Sequence, residues 1–183
     1  MHPLLTTIEH MAVAVGATHA RVVGTAELLP YDHVIASCAA NACGRYNRCW
    51  TCPPQTGTLE EMTQTFHAFP DGGVIIQNIS TLEDSWDFEG MEAAAHQHNQ
   101  MIRDITRRIR EQFATAELLP FGCGGCGFCE KCTCPDAPCR FPAEALTSVE
   151  GNGLDVKALL ESVGLHYING VNTVSYVGLI LAR

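Results

Sequence analysis

The ten cysteines are the residues best suited to chemistry, and all of them fall in two short windows. Cys38, Cys43, Cys49 and Cys52 form the first; Cys123, Cys126, Cys129, Cys132, Cys134 and Cys139 form the second. Residues 53–122 contain none. A disulfide framework spreads its cysteines so as to staple distant loops of a small secreted domain. Here 183 residues suffice to bury a core without staples. The opening MHPLLTTIEHM shows no charged region followed by an apolar one, so no secretory signal is expected and a cytoplasmic, reducing setting is. Grouped thiols in such a setting point to metal.

The first window reads C-x4-C-x5-C-x2-C-P. Four thiolates can complete a tetrahedral zinc site or hold the four irons of a cubane. Zinc sites usually offer two tight pairs separated by a longer loop, and only Cys49 and Cys52 make such a pair here. The ending Cys52-Pro53 resembles the last ligand of bacterial ferredoxin runs. The second window starts C-x2-C-x2-C-x2-C, a poor zinc pattern because it crowds ligands onto one loop, but close to the ferredoxin run of three thiolates with a remote fourth. The cofactors expected are therefore two [4Fe–4S] clusters, with zinc as the alternative. Cys38, Cys43, Cys49 and Cys52 are the candidate ligands of one site. The second window has two thiols to spare. Its preferred set is Cys126, Cys129, Cys132 and Cys139; a rival uses Cys123 in place of Cys132 and ends on Cys134. Spacing leaves both open. Glycines 122, 124, 125 and 127 suit close backbone approach and N–H donation to cluster sulfurs.

Other residues are weaker candidates. Arg45, Arg48 and Arg140 lie beside the thiolates, where each can offset cluster charge or simply face solvent. Trp50 can shield a cluster or pack in a core. His33, Tyr46, Glu150 and Asp155 are candidate proton carriers if a cluster does chemistry, although Glu150 is expected at a turn in a capping or solvated role. His96 and His98 sit two apart on a helix, point to different faces, and read as structural or solvated. GCGGCG matches a dinucleotide fingerprint by letter but lacks the following amphipathic helix.

These residues need elements to hold them, and the pattern alternates helix and strand. Helical spacing covers Thr7 to Ala17, and a β-rich stretch follows from His19 to Leu29. Thr58 with Glu61 forms a capping box opening a helix to about Phe69. Pro70–Gly73 is a turn, and Val74 to Ile79 a strand. A helix is predicted from Phe88 to Phe113, with Met91, Ala94, His98, Met101, Ile102, Ile105, Ile109 and Phe113 on one face. Arg103, Arg107 and Arg110 on its other side read as a solvated face pairing with Asp104 and Glu111. Asp155 to Val163 reads as a short helix stopped by Gly164, and Thr173 to Leu181 as a buried strand.

TAELLP occurs twice, at Thr25–Pro30 and Thr115–Pro120, each time before a cysteine window. The fold class expected is α/β, a single metal-binding domain over 1–183, organised as two similar halves, 1–85 and 86–183, that share one core. No stretch of about 20 apolar residues is present to cross a bilayer as a helix. The net charge of −9 argues against nucleic acid as partner.

CGRYNRCWTCPP, CGFCEKCTCPDAPCRFP, SVEGNGLDVKALLESVG and NTVSYVGLIL together resemble the DUF2284 family of predicted metal-binding proteins. The resemblance implies a cysteine-rich metal or iron–sulfur protein and no settled activity. It places the family's pattern on Cys38, Cys43, Cys49 and Cys52, and on Cys126, Cys129, Cys132 and Cys139. Cys123 and Cys134 stand outside it. The expectation is an electron-transfer protein of an anaerobic pathway with a redox protein as partner, and with homo-oligomerisation open. An enzyme working through an incompletely ligated cluster and a zinc-stabilised interaction module are the alternatives.

Overall fold

The computed structural model describes residues 2–183; Met1 of the opening segment lies outside the described residues. Five α-helices pack on a mixed sheet of five strands. In chain order these are α1 (Pro3–Ala14), β1 (His19–Val23), α2 (Asp32–Ala39), α3 (Leu59–His67), β2 (Gly73–Thr81), α4 (Phe88–Gln112), β3 (Leu118–Gly122), β4 (Thr147–Ser148), α5 (Val156–Ser162) and β5 (Thr173–Ala182). The spatial order is β1-β2-β5-β3-β4, with every neighbouring pair antiparallel except the parallel β3–β4.

Alternation along the central strands separates two cores. Val74 and Ile76 of β2, with Ile180 and Ala182 of β5, pack with Leu5, Ile8 and Ala12 of α1 and Ile102, Ile105 and Ile109 of α4. Ile75, Val177, Leu179 and Leu181 face the other way, onto Met62 and Phe66 of α3 and Leu159 and Leu160 of α5. Helices thus cover both faces of the sheet. No helix among the described residues is long and apolar enough to cross a membrane.

The boundaries follow local chemistry. Thr58 and Glu61 close the expected capping box, with the Thr58 N–H donating to Glu61 Oε2 at 2.7 Å and the Glu61 N–H to Thr58 Oγ1 at 3.3 Å. Asp155 caps α5 by accepting from the Ala158 N–H at 3.0 Å. The helix α2 had no signal in the sequence, because none of its eight residues is fully buried and no apolar period results. It matters because Cys38 rides on its last turn.

The two copies of TAELLP take different structures. The first forms a 3₁₀ turn over Thr25–Glu27 and ends in a bridge from Pro30 to Leu154; the second enters β3 at Leu118. Strand β5, from the end of the chain, lies between β2 and β3, so strands from both proposed halves make one continuous sheet.

Candidate metal centre

The two cysteine windows lie against each other beyond the C-terminal end of β3. The Trp50 indole N–H donates to the Ala137 carbonyl at 2.9 Å, and the Thr147 hydroxyl to the Thr51 carbonyl at 3.1 Å. These bonds span 87 and 96 residues of sequence. Trp50 therefore serves as a strut between the windows while also lining one of their cavities.

A cavity of about 490 Å³ is lined by Cys38, Cys43 and Cys52 of the first window and by Cys123 and Cys126 of the second. A smaller one of about 50 Å³ is lined by Cys49, Cys126, Cys129, Cys132 and Cys139. The C-x2-C pair of the first window is thus divided: Cys52 faces the larger cavity and Cys49 the smaller. Cys123, outside the family pattern, joins the first-window thiols. Cys134 is buried, within electrostatic reach of Cys132 and Cys49. Among the described residues no three His, Cys, Asp or Glu side chains converge on a single-ion point; the thiols ring the cavities.

Hydrogen bonds hold the walls. Asn99 of α4 donates from Nδ2 to the Cys123 carbonyl at 3.0 Å and accepts the Cys123 N–H on Oδ1 at 2.9 Å. Arg103, one turn further on, donates from Nη2 to the Cys126 carbonyl at 3.0 Å and from Nε to the Glu144 carbonyl at 2.9 Å, with its guanidinium 5.2 Å from the Phe128 ring centre. The expectation of a solvated arginine face is corrected at this position. Arg107 does pair with Asp104, at 2.7 Å, on the exposed side. Arg103 faces inward because the loop after β3 folds back over α4, a contact with no trace in the helical period.

The thiols do not share one environment. Hydrogen bonds from the Cys52 thiol, then from Thr51 and from the Cys126 backbone N–H, hold Cys49 well below the usual thiol range despite its burial. Cys52 is pushed up, first by sharing its proton with Cys49 and then by burial. Burial raises Cys38, and pushes Cys123 up to about 12, in each case with Glu150 adding to the shift. Thiols raised by burial bind as thiolates only when a cation compensates, which suits a metal site.

Arg45 supplies one fixed positive charge. It lines both cavities and lies across Gly125, where a Cβ would sit 2.3 Å from Arg45 Cδ. Gly122 is constrained similarly, since a Cβ there would meet Asn99 Oδ1 at 2.2 Å. These two glycines make room for Arg45 and Asn99. Arg48 lines neither cavity, and Arg140 is spent on the Lys131 carbonyl.

The candidate proton carriers separate. Glu150 and Tyr46 line the larger cavity. Glu150 lies at a turn as expected, in a 3₁₀ segment, half-buried and without a side-chain cap bond, its carboxyl pushed up by burial. His33 and Asp155 pair with each other at 3.7 Å away from both cavities, and Asp155 is occupied as a helix cap. His96 is exposed, as the solvated reading expects, while also lining the larger cavity. His98 is structural as expected, buried with Nδ1 2.7 Å from Asn78 Oδ1. Glu92 and Tyr176 complete the cavity wall, and Tyr176 donates to the Met91 carbonyl at 2.8 Å. Neither gave a signal in the sequence, because α4 and the central strand β5 meet only in the tertiary packing.

A family model, DUF2284, described as a predicted metal-binding protein, matches residues 21–182. No curated protein and no solved structure matches the chain.

Proposed function

The chain belongs to the DUF2284 family of predicted metal-binding proteins, and from that premise we propose that it holds two [4Fe–4S] clusters on the thiols of its two windows and passes single electrons between protein partners. The observation that carries this reading is the ring of thiols around two adjoining cavities at the contact of the windows. A zinc ion needs its sulfurs at about 2.3 Å from one point, whereas a cubane spreads its irons and accepts thiolates that stand apart around a volume.

The cluster, when bound, supplies one-electron redox chemistry. The chain's own residues do the rest. Arg45 places positive charge beside thiolates of both cavities, which favours the reduced, more negative state. Trp50 and Phe128 line the smaller cavity and limit access of water to it. Asn99 and Arg103 fix the backbone on which Cys123 and Cys126 stand.

A second reading, an enzyme acting on a small substrate at the larger site, draws on one observation: Arg45, Tyr46, His96 and Glu150 share that wall with the thiols. A pure electron carrier has no need of such a set.

Metal and acid-labile sulfide after anoxic purification test the proposal. About eight iron and eight sulfide per chain are expected. One or two zinc without sulfide would sink it and favour a structural module. If the clusters are present, small anions that alter the spectrum of just one of them would favour the enzyme reading.

A further inference from the structure

We propose that the two windows exchange a ligand, so that each metal site is built from both. Cys123 joins Cys38, Cys43 and Cys52 at the larger site. Cys49 joins Cys129, Cys132 and Cys139 at the smaller one, and Cys126, which lines both cavities, stands between them without serving either as ligand. This rests on the metal-binding reading above and extends it to the identity of the ligands.

The pairing by sequence proximity, Cys49 with its neighbours in the first window, is opposed by the way the thiols divide between the cavities. Cys49 lines the cavity of the second window, together with Cys129, Cys132 and Cys139. Cys52, only three residues on, lines the other cavity with Cys38 and Cys43. A tight C-x2-C turn that points its two thiols into different cavities spans two sites rather than chelating at one. Cys123 is the converse case. It follows β3 directly, its N–H and C=O are clamped by Asn99, and it lines the cavity of the first-window thiols together with Cys38, with Glu150 near both. A strand end fixed in this way gives Cys123 little freedom to reach Cys129 or Cys139, which line the other cavity. The three-residue turn from Cys49 to Cys52 becomes the covalent link between the two sites, a short through-bond route for an electron from one to the other. Ligand exchange between clusters has a physical precedent in two-cluster ferredoxins, where the last cysteine of each run serves the other cluster.

Paired alanine variants of the full chain, purified anoxically, read out which thiols share a site whichever metal is bound. Two substitutions at one site remove one site's metal; two substitutions at different sites remove both. Cys38→Ala with Cys123→Ala is expected to lose about half of the wild-type metal, and Cys38→Ala with Cys49→Ala nearly all of it. Loss of only about half for the second pair, whatever the first pair loses, overturns the exchange. Single Cys→Ser variants, which keep the side chain's shape and a weaker oxygen donor, provide the second readout. Cys123→Ser is expected to shift the same electron paramagnetic resonance signal as Cys38→Ser, and Cys49→Ser the same signal as Cys129→Ser; the opposite matching overturns the proposal. Sulfide in the wild-type chain separately decides whether the cluster reading holds, so the two failures are distinguishable.

Discussion

Asn99 grips the main chain of Cys123 from both sides, donating to its carbonyl at 3.0 Å and accepting its N–H at 2.9 Å. The amide is buried on α4, so an element of the core dictates where the first thiol of the second window stands. The pair works like a strand partner, satisfying the main-chain groups at the point where β3 ends.

Asn99→Ala leaves both Cys123 main-chain groups buried without partners. It is expected to lower stability by about 2 kcal/mol or more, and to weaken metal at the larger site by roughly tenfold to a hundredfold. Metal retention against a graded chelator, read beside urea unfolding, checks both. Unchanged retention would show that the clamp serves folding alone.

Arg103 carries the equivalent load for the loop that runs through Cys126 to Cys129 of the smaller cavity, bonding two carbonyls with a planar fork over Phe128. Arg103→Lys keeps the charge but cannot bridge both carbonyls or stack. Metal at the smaller site is expected to dissociate about tenfold faster, with little change in the unfolding midpoint. Arg107→Lys, on the exposed side, is the control and should behave as wild type.

His98 gives the fold a pH dependence of its own. Burial lowers its pKa to about 4, against about 6.5 in an unfolded chain. The unfolded state therefore takes up the proton first as pH falls. The stability contributed by neutral His98 is complete above pH 6.5 and is lost progressively down to pH 4, by up to roughly 3 kcal/mol. His98→Gln should flatten the unfolding free energy across that window relative to wild type. Parallel curves for the two proteins would place the proton elsewhere.

Neither apolar core contains a cysteine. Removing metal is therefore expected to loosen the windows and leave the sheet folded. Trypsin should then cut after Arg45, Arg48, Lys131 and Arg140, while Arg107 and Arg110 in α4 stay protected and far-ultraviolet circular dichroism changes little. Cleavage within α4 at the same rate would show that metal and core unfold together.

The sequence by itself determined the elements that carry periodic burial: α4 from Ala94 through Ile109, β2 and β5, and the capping box at Thr58. It also determined that thiols would dominate the site, because ten cysteines in two windows leave no other donor set of comparable size. Local signals of this kind need only neighbours within a turn or a strand. The tertiary structure decided what depends on contacts across the chain. It decided that β5 lies between β2 and β3, that α2 delivers Cys38 without an apolar stripe, and that Arg103 bonds the main chain of the second window. It also set Cys49 and Cys52, three residues apart, against different cavities. Spacing fixes how far apart two thiols are along the backbone. Which cavity each one faces depends on the turn between them and on what packs against it, and here that is the loop after β3, more than seventy residues away.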